Sequence, residues 1–241
     1  MPYRRLPKTD QARIRALQAA VNSSVVNGIF TNVLTHNTYF RAKSFLERFL
    51  REVSVYKHCV TEQASKKGNE KYETSLKKAR MYVSHFIQVL SMSIMRGEIA
   101  RSKRPYYGLA ENEDTVPNLF SEVAVLEWGM KVMEGERRRQ AEGGIPIYNP
   151  TMGRVSVAYE LFKEMYERQQ SLQVRTAEAL RNISEMRYEA DEIIFEVWSE
   201  VEKAFAELHG EERIKKCATY GVIYYERKDR NKGEKDNDGI C

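Results

Sequence analysis

The stretch RVSVAYELFKEMYERQQSLQVRTAEALRNISEMRYEADEIIFEVWSEVEKAFAELH, from Arg154 to His209, runs without a glycine or a proline. Its apolar residues recur at mostly alternating spacings of four and three: Ala158, Phe162, Met165, Leu172, Ala179, Ile183, Met186, Ala190, Ile193, Val197, Val201 and Ala204. Polar Gln169 and Thr176 are the only interruptions. Such positions share one face only on a helix, so the segment predicts a long packed helix or a helix pair. As one straight helix it would reach roughly 80 Å, far beyond the width of a compact domain. A bend or break is therefore expected between about Asn182 and Glu189, because Asn182 and Ser184 are weak helix formers and a compact fold needs the chain to return.

Outward from this segment the same periodicity repeats. Pro2 to Lys8 is basic and extended, and Thr9 or Asp10 can cap a first helix with Ile14, Leu17, Val21 and Val25 on its inner face, stopping around Asn27-Gly28. A second helix is predicted from after Asn37 or Thr38, with Phe45, Leu46, Phe49, Val53, Tyr56 and Val60 inward, ending in the turn Lys66-Lys67-Gly68-Asn69. The third follows from about Glu70 with Tyr72, Leu76, Ala79, Val83, Phe86, Leu90 and Ile94 as its stripe, and the short connection implies an antiparallel hairpin. Residues Arg104 to Pro117 read as a loop, and Asn118 can cap a fourth helix that Gly143-Gly144 ends. Ile145 to Pro150 is an extended crossover, after which Thr151 can cap the long segment. The expected fold is all-α, an elongated antiparallel bundle of about five to six helices with a minor C-terminal extended element. Its expected parts are an N-terminal helical half 1–104, a linker loop 105–117, a C-terminal half 118–227 packed on the first, and a disordered tail 228–241.

The extended element is Tyr220-Gly221-Val222-Ile223-Tyr224-Tyr225, a β-prone run too short to stand alone. Its backbone needs partners, and the other extended apolar segments are Pro2 to Leu6 and Ile145 to Tyr148. Pairing with the N-terminal segment is expected, since it would tie down a terminus that is otherwise a loose basic tail.

With 241 residues and 42% hydrophobic content the chain can build a core. A net charge of +5 permits an anionic partner, but 34 acidic residues are interleaved with 39 basic ones, so charge alone selects no partner. No apolar run approaches the roughly 20 residues of a membrane span. Cys59, Cys217 and Cys241 are odd in number and far apart, which suits a reducing compartment and predicts a cytoplasmic protein.

Tests for catalytic motifs mostly fail. A di-iron bundle needs Glu-x-x-His, yet Val33, Val55, Tyr82 and Ala206 stand three positions before the histidines. His-Glu-x-x-His, Cys-x-x-Cys, Gly-x-Ser-x-Gly and the Gly-rich phosphate loops are missing, so no metal site or cofactor is expected. The unusual stretch is Met81 to Met95, which carries no charge and includes Ser84, His85, Gln88 and Ser91. A helix apolar nearly all round predicts a central position in the bundle, where these four would either line a ligand pocket or bond to backbone and water. Trp128 and Trp198 are expected in the core, and the acids around Trp198 on a solvated helix face. For nucleic acid the candidates are Arg101, Lys103 and Arg104, with Tyr106 and Tyr107 able to stack on bases. Helix ends attract Lys and Arg through their dipole, which explains the same cluster without a partner.

Met1-Pro2-Tyr3-Arg4-Arg5-Leu6-Pro7, the stretch from Lys78-Ala79-Arg80 to Gln88-Val89-Leu90, Pro146 to Pro150 and Tyr220 to Val222 together resemble a family of uncharacterised helical proteins of Bacteroidota. The similarity extends across most of the chain. In that family the position of Tyr188 is often proline, which implies a helix break there that this sequence does not itself encode. The family has no known activity, so the resemblance transfers no catalytic residue. The leading expectation is a non-enzymatic helical interaction or scaffold protein that self-associates or binds a protein partner. A nucleic-acid or phosphate binder using basic helix ends and an enzyme with a pocket near His85 are the alternatives.

Overall fold

The computed structural model describes residues 3–26 and 33–225. The expected helix stop at Asn27-Gly28 and the tail 228–241 lie outside the described residues. The fold is all-α with one minor two-stranded sheet: α1 (Asp10–Val26), α2 (His36–Gln63), α3 (Lys66–Met95), α4 (Glu122–Ala141), α5 (Met152–Ala204) and α6 (Gly210–Thr219), with β1 (Tyr3–Arg4) and β2 (Tyr224–Tyr225). A 3-10 helix spans Arg101–Tyr107, running into the start of the stretch expected as a loop from Arg104, and residues 108–121 follow it without helix.

Of the bend or break expected in the long segment, the break is not there. α5 runs uninterrupted from Met152 to Ala204, and the separate helix begins only at Gly210. The weak helix former Ser184 sits inside α5 with its hydroxyl satisfied by Leu180 O at 2.8 Å, as that of Thr176 is by Leu172 O at 2.8 Å, so neither competes for the backbone N–H groups of the helix. Arg187, in the middle of the expected break, donates from Nε and Nη2 to both oxygens of Asp10 at 2.8 Å, which anchors that turn to α1. Helix starts also shift. Ser65 rather than Lys66 to Asn69 is the break between α2 and α3, accepting from Gly68 N at 3.5 Å. Ser121 caps α4, accepting from Ala124 N, while Asn118 makes a tight turn three residues earlier by accepting from Phe120 N.

The chain forms two compact units, 1–58 with 177–241 and 59–176, instead of sequential halves joined by 105–117. The linker segment therefore lies within the second unit. Residues of α2 up to His58 pack in the first unit and all of α3 in the second, so the two helices find their neighbours in different cores where a hairpin pair was expected.

In the first unit Leu17, Ala20, Phe45, Phe49, Ile193, Val197, Trp198 and Tyr220 are buried in one apolar cluster. The acids of α5 are not a merely solvated face: Asp191 takes both Arg13 donors at 2.8 and 2.9 Å, Glu196 takes Arg41 at 2.7 Å, and Glu200 accepts from Thr35 N and Thr38 Oγ1 at 2.7 Å. The sheet closes this unit as the sequence predicts. β1 pairs antiparallel with β2, Tyr3 opposite Tyr225 and Arg4 opposite Tyr224. Gly221 makes the approach possible, with φ of +84° and a hypothetical Cβ only 2.7 Å from Ala16 O of α1. In the second unit Val83, Phe86, Ile87, Leu90, Tyr107, Val125, Val132 and Phe162 form a separate cluster.

Candidate functional site

The chemistry-bearing residues converge in the second unit around α3, α4 and the 3-10 helix. Gly135 of α4 lets that helix approach: a Cβ there would lie 2.6 Å from the Tyr107 ring and 2.8 Å from Tyr106 O. The Tyr107 hydroxyl then donates to Glu136 Oε2 at 2.6 Å. One turn further, Arg139 donates from Nε to Glu136 Oε2 at 2.9 Å and from Nη2 to Glu136 Oε1 and Ile145 O, both at 2.7 Å. Gln140 Nε2 and Ile147 N also donate to Glu136. Burial works to raise the Glu136 pKa, but the hydrogen bonds from Arg139, Tyr107 and Gln140 outweigh it and hold the carboxyl below its ordinary range. Burial, and then the bond to Glu136, pushes the Tyr107 phenol well above its ordinary value. The result is an ionised, fully bonded strut that ties residues 145–147 to α4 and leaves no free base.

The nucleic-acid candidates are divided by this packing. Arg104 and Tyr107 are 0% exposed. Arg104 donates to Ser91 Oγ at 3.1 Å, to Ala110 O at 2.8 Å and to Glu113 O, which folds the loop after the 3-10 helix. Arg101 pairs with Asp114 at 3.0 Å, and Lys103 with Glu142. Tyr106 donates to Glu142 at 2.8 Å with Arg138 over its ring at 3.9 Å. The partnerships of Lys103 and Glu142 raise the one pKa and lower the other. The cluster therefore presents no continuous basic face, and Arg104 is a structural residue whose replacement would leave buried acceptors unpaired.

The ligand-pocket candidates do not converge either. Ser91 is buried against Arg104, whereas Gln88 is exposed and donates to half-buried Ser84 at 3.4 Å, and His85 is exposed. A cleft of about 700 Å³ does exist beside α3, lined by Val89, Ser93, Lys103, Glu142, Ile145 and Ile147 among others. His85 does not line it, and its cations Lys103, Arg96 and Arg139 are each paired, with Glu142, with Glu98 at 2.7 Å and with Glu136 at 2.7 Å. Among the described residues no group of three His, Cys, Asp or Glu side chains could hold a metal ion, and no helix is long and apolar enough to cross a membrane.

What the sequence places at the centre of the bundle is an outer face. α3 buries Val83, Phe86, Ile87, Leu90, Ser91 and Ile94, and turns Met81, His85, Gln88, Met92 and Met95 outward. The three methionines are 53%, 45% and 65% exposed. From Met81 to Met95 this face carries no charge, whereas the outer face of α4 interleaves Val123 and Met130 with Glu127 and Glu134. The Glu136–Arg139 strut is missed by sequence, because Gly135-Glu136-Arg137-Arg138-Arg139 reads as a basic helix end; the spacing of three between Glu136 and Arg139 is the signal that could have found it.

No family model, curated protein or solved structure matches the chain.

Proposed function

We propose that this chain is a non-enzymatic interaction protein that docks a protein partner on the outward face of α3 between Met81 and Met95. The observation that carries this is the exposure of an uncharged, Met-rich helical stripe on an otherwise charged chain. A solvated helix face normally carries Lys and Glu, and three half-exposed methionines in register form a surface that gains by being covered. Methionine also adapts to irregular partner surfaces, which suits a docking role. The exposed position of His85 and the closed bonding of Glu136, Arg139 and Tyr107 favour this over an enzyme, since no titratable group is left poised in the cleft. The burial of Arg104 and Tyr107 likewise disfavours a nucleic-acid site there. Free, buried Cys59 and Cys217 support a cytoplasmic setting.

A photo-crosslinking amino acid at Gln88, compared with the same group at exposed Glu164 of α5, tests the proposal in native extract. Abundant protein adducts from position 88, lost on Met92→Lys, are the expected result. Adducts no more abundant than those from position 164 would sink it.

A further inference from the structure

The cleft beside α3 keeps hydrogen-bond donors that its ion pairs do not use. An arginine side chain carries five N–H donors. In Arg139, which is 4% exposed, Nε and Nη2 direct theirs to Glu136, Tyr107 and Ile145 O. Nη1 has no acceptor among the described residues, and it is not one of the enclosed atoms left without a partner, which are Trp198 Nε1 and Arg213 Nε, so solvent reaches it. A Cβ on Gly144 would lie 2.6 Å from this nitrogen, and Gly144 and Arg139 both line the cleft, so the missing side chain leaves Nη1 open at the cleft wall. We infer that the cleft binds a monocarboxylate with an apolar body, its carboxylate accepting from Arg139 Nη1. This site stands apart from the docking reading above, since Met81, Met92 and Met95 do not line it.

The other polar groups of the cleft share this imbalance. Arg96 donates from Nε and Nη2 to both oxygens of Glu98 and to Ser93 Oγ, which leaves its Nη1 without an acceptor among the described residues. Lys103 donates to Glu142 and Tyr106, so one of its three donors is left over. The carboxylates of the cleft are already occupied: Glu98 by Arg96 on both oxygens, Glu142 by Tyr106 on one and by Lys103 on the other. Donors in excess of acceptors call for a group that only accepts, and an ionised carboxylate is such a group.

Charge and shape limit the ligand further. Arg96, Lys103 and Arg139 line the cleft with Glu98 and Glu142, and Glu136 is bonded to Arg139 behind it. That balance accepts a single negative charge, whereas a dianion would face Glu98 and Glu142 with no unpaired cation to offset them. Nη2 of Arg139 is held by Ile145 O at 2.7 Å, so the guanidinium cannot offer the two-pronged grip that suits a phosphate. Val89, Ile99, Ile145 and Ile147 supply apolar wall, and at about 700 Å³ the cleft lies in the size range of small-ligand sites. An alkyl chain of medium length ending in a carboxylate matches both parts.

Titration of the full chain with octanoate, octanamide and octyl phosphate, followed by amide NMR shifts, tests this. Octanoate is expected to give saturating shifts at Gly143, Gly144 and Ile147 while Gly210 and Gly221 of the other unit stay still. It should bind about tenfold more tightly than either the neutral amide or the phosphate, because its bond to Nη1 is charge-assisted and a second negative charge is not matched. Ala100 lines the cleft from an exposed position with extended backbone, so Ala100→Phe should fill the space and weaken octanoate about tenfold without disturbing the fold. Gly144→Ala sets a methyl group over Nη1 and should abolish the preference for octanoate over octanamide; circular dichroism checks that both variants stay folded. Equal binding of octanamide, or tighter binding of octyl phosphate, would overturn the carboxylate. No shifts, unsaturated shifts spread through both units, or undiminished binding to Ala100→Phe would overturn the cleft as the site. A folded Gly144→Ala that keeps the preference would overturn the role of Arg139 Nη1.

Discussion

At the scale of single residues, the Glu136–Arg139–Tyr107 strut links the stability of the second unit to pH. Glu136 has a lowered pKa in the fold, against about 4.3 unfolded. A lowered folded value means that the stabilisation is fully present above the unfolded pKa and disappears as pH falls through the folded one. Tyr107 is raised above 10.0, so its contribution is complete below that pH and is lost as alkaline pH rises through the folded value. Glu136→Gln keeps the shape but leaves buried Arg139 without its counter-charge, a change expected to cost about 3–5 kcal/mol near neutrality. Chemical denaturation from neutral pH to pH 3 should show wild-type stability falling more steeply than that of Glu136→Gln. Parallel curves would show that Glu136 does not carry this part of the acid sensitivity.

At the scale of elements, the shortest one closes the first unit. β1 has two residues, but Arg4 also donates to Glu202 at 2.9 Å and Ser199 at 3.1 Å, and lies over the Phe195 ring at 4.7 Å. Tyr224 of β2 donates to the same Glu202 at 2.8 Å, so one carboxylate of α5 holds both strands. Deleting Met1 to Pro7 should therefore destabilise the fold by about 2–4 kcal/mol, more than its few buried side chains suggest, because backbone groups of β2 and the Glu202 carboxylate lose their partners. Amide exchange at Tyr225 and Val222 should accelerate in the deletion; unchanged protection would refute the clasp. This pairing was legible in sequence because the fold has few extended segments and β-prone residues need partners. Helix identities and the α5 seam were legible from period alone, down to buried Phe162, Ile183 and Val201. The uninterrupted α5 was not, because Arg187 gains its hold from Asp10, which lies 177 positions away in sequence. The exposure of Met81, Met92 and Met95 was not legible either: an uncharged helix face looks the same whether a neighbouring helix or solvent covers it.

At the scale of the whole molecule, the two apolar clusters share one helix without sharing a core. α5 contributes Val155, Ala158 and Phe162 to the buried set of the second unit and Ile183, Ala190, Ile193 and Val197 to that of the first. Between Phe162 and Ala179 it fully buries no side chain; Tyr166 packs at the edge of the second cluster, and the two polar interruptions of its seam, Gln169 and Thr176, fall inside that interval half-buried. A helical stretch with little packing is held mainly by its own propagation, which is close to neutral per residue in water, so it transmits little stability from one end to the other. The two cores should therefore open as separate cooperative units. Phe162→Ala, which removes a fully buried ring, is expected to destabilise its unit by about 3–5 kcal/mol and to accelerate amide exchange in α3 and α4 while leaving α1 and α6 near wild-type rates. Ile193→Ala, at about 2–5 kcal/mol, should do the reverse. Hydrogen exchange followed by mass spectrometry on both variants decides the matter. If either substitution speeds exchange equally in all four helices, the chain unfolds as one cooperative body and α5 couples the cores across its sparsely packed middle.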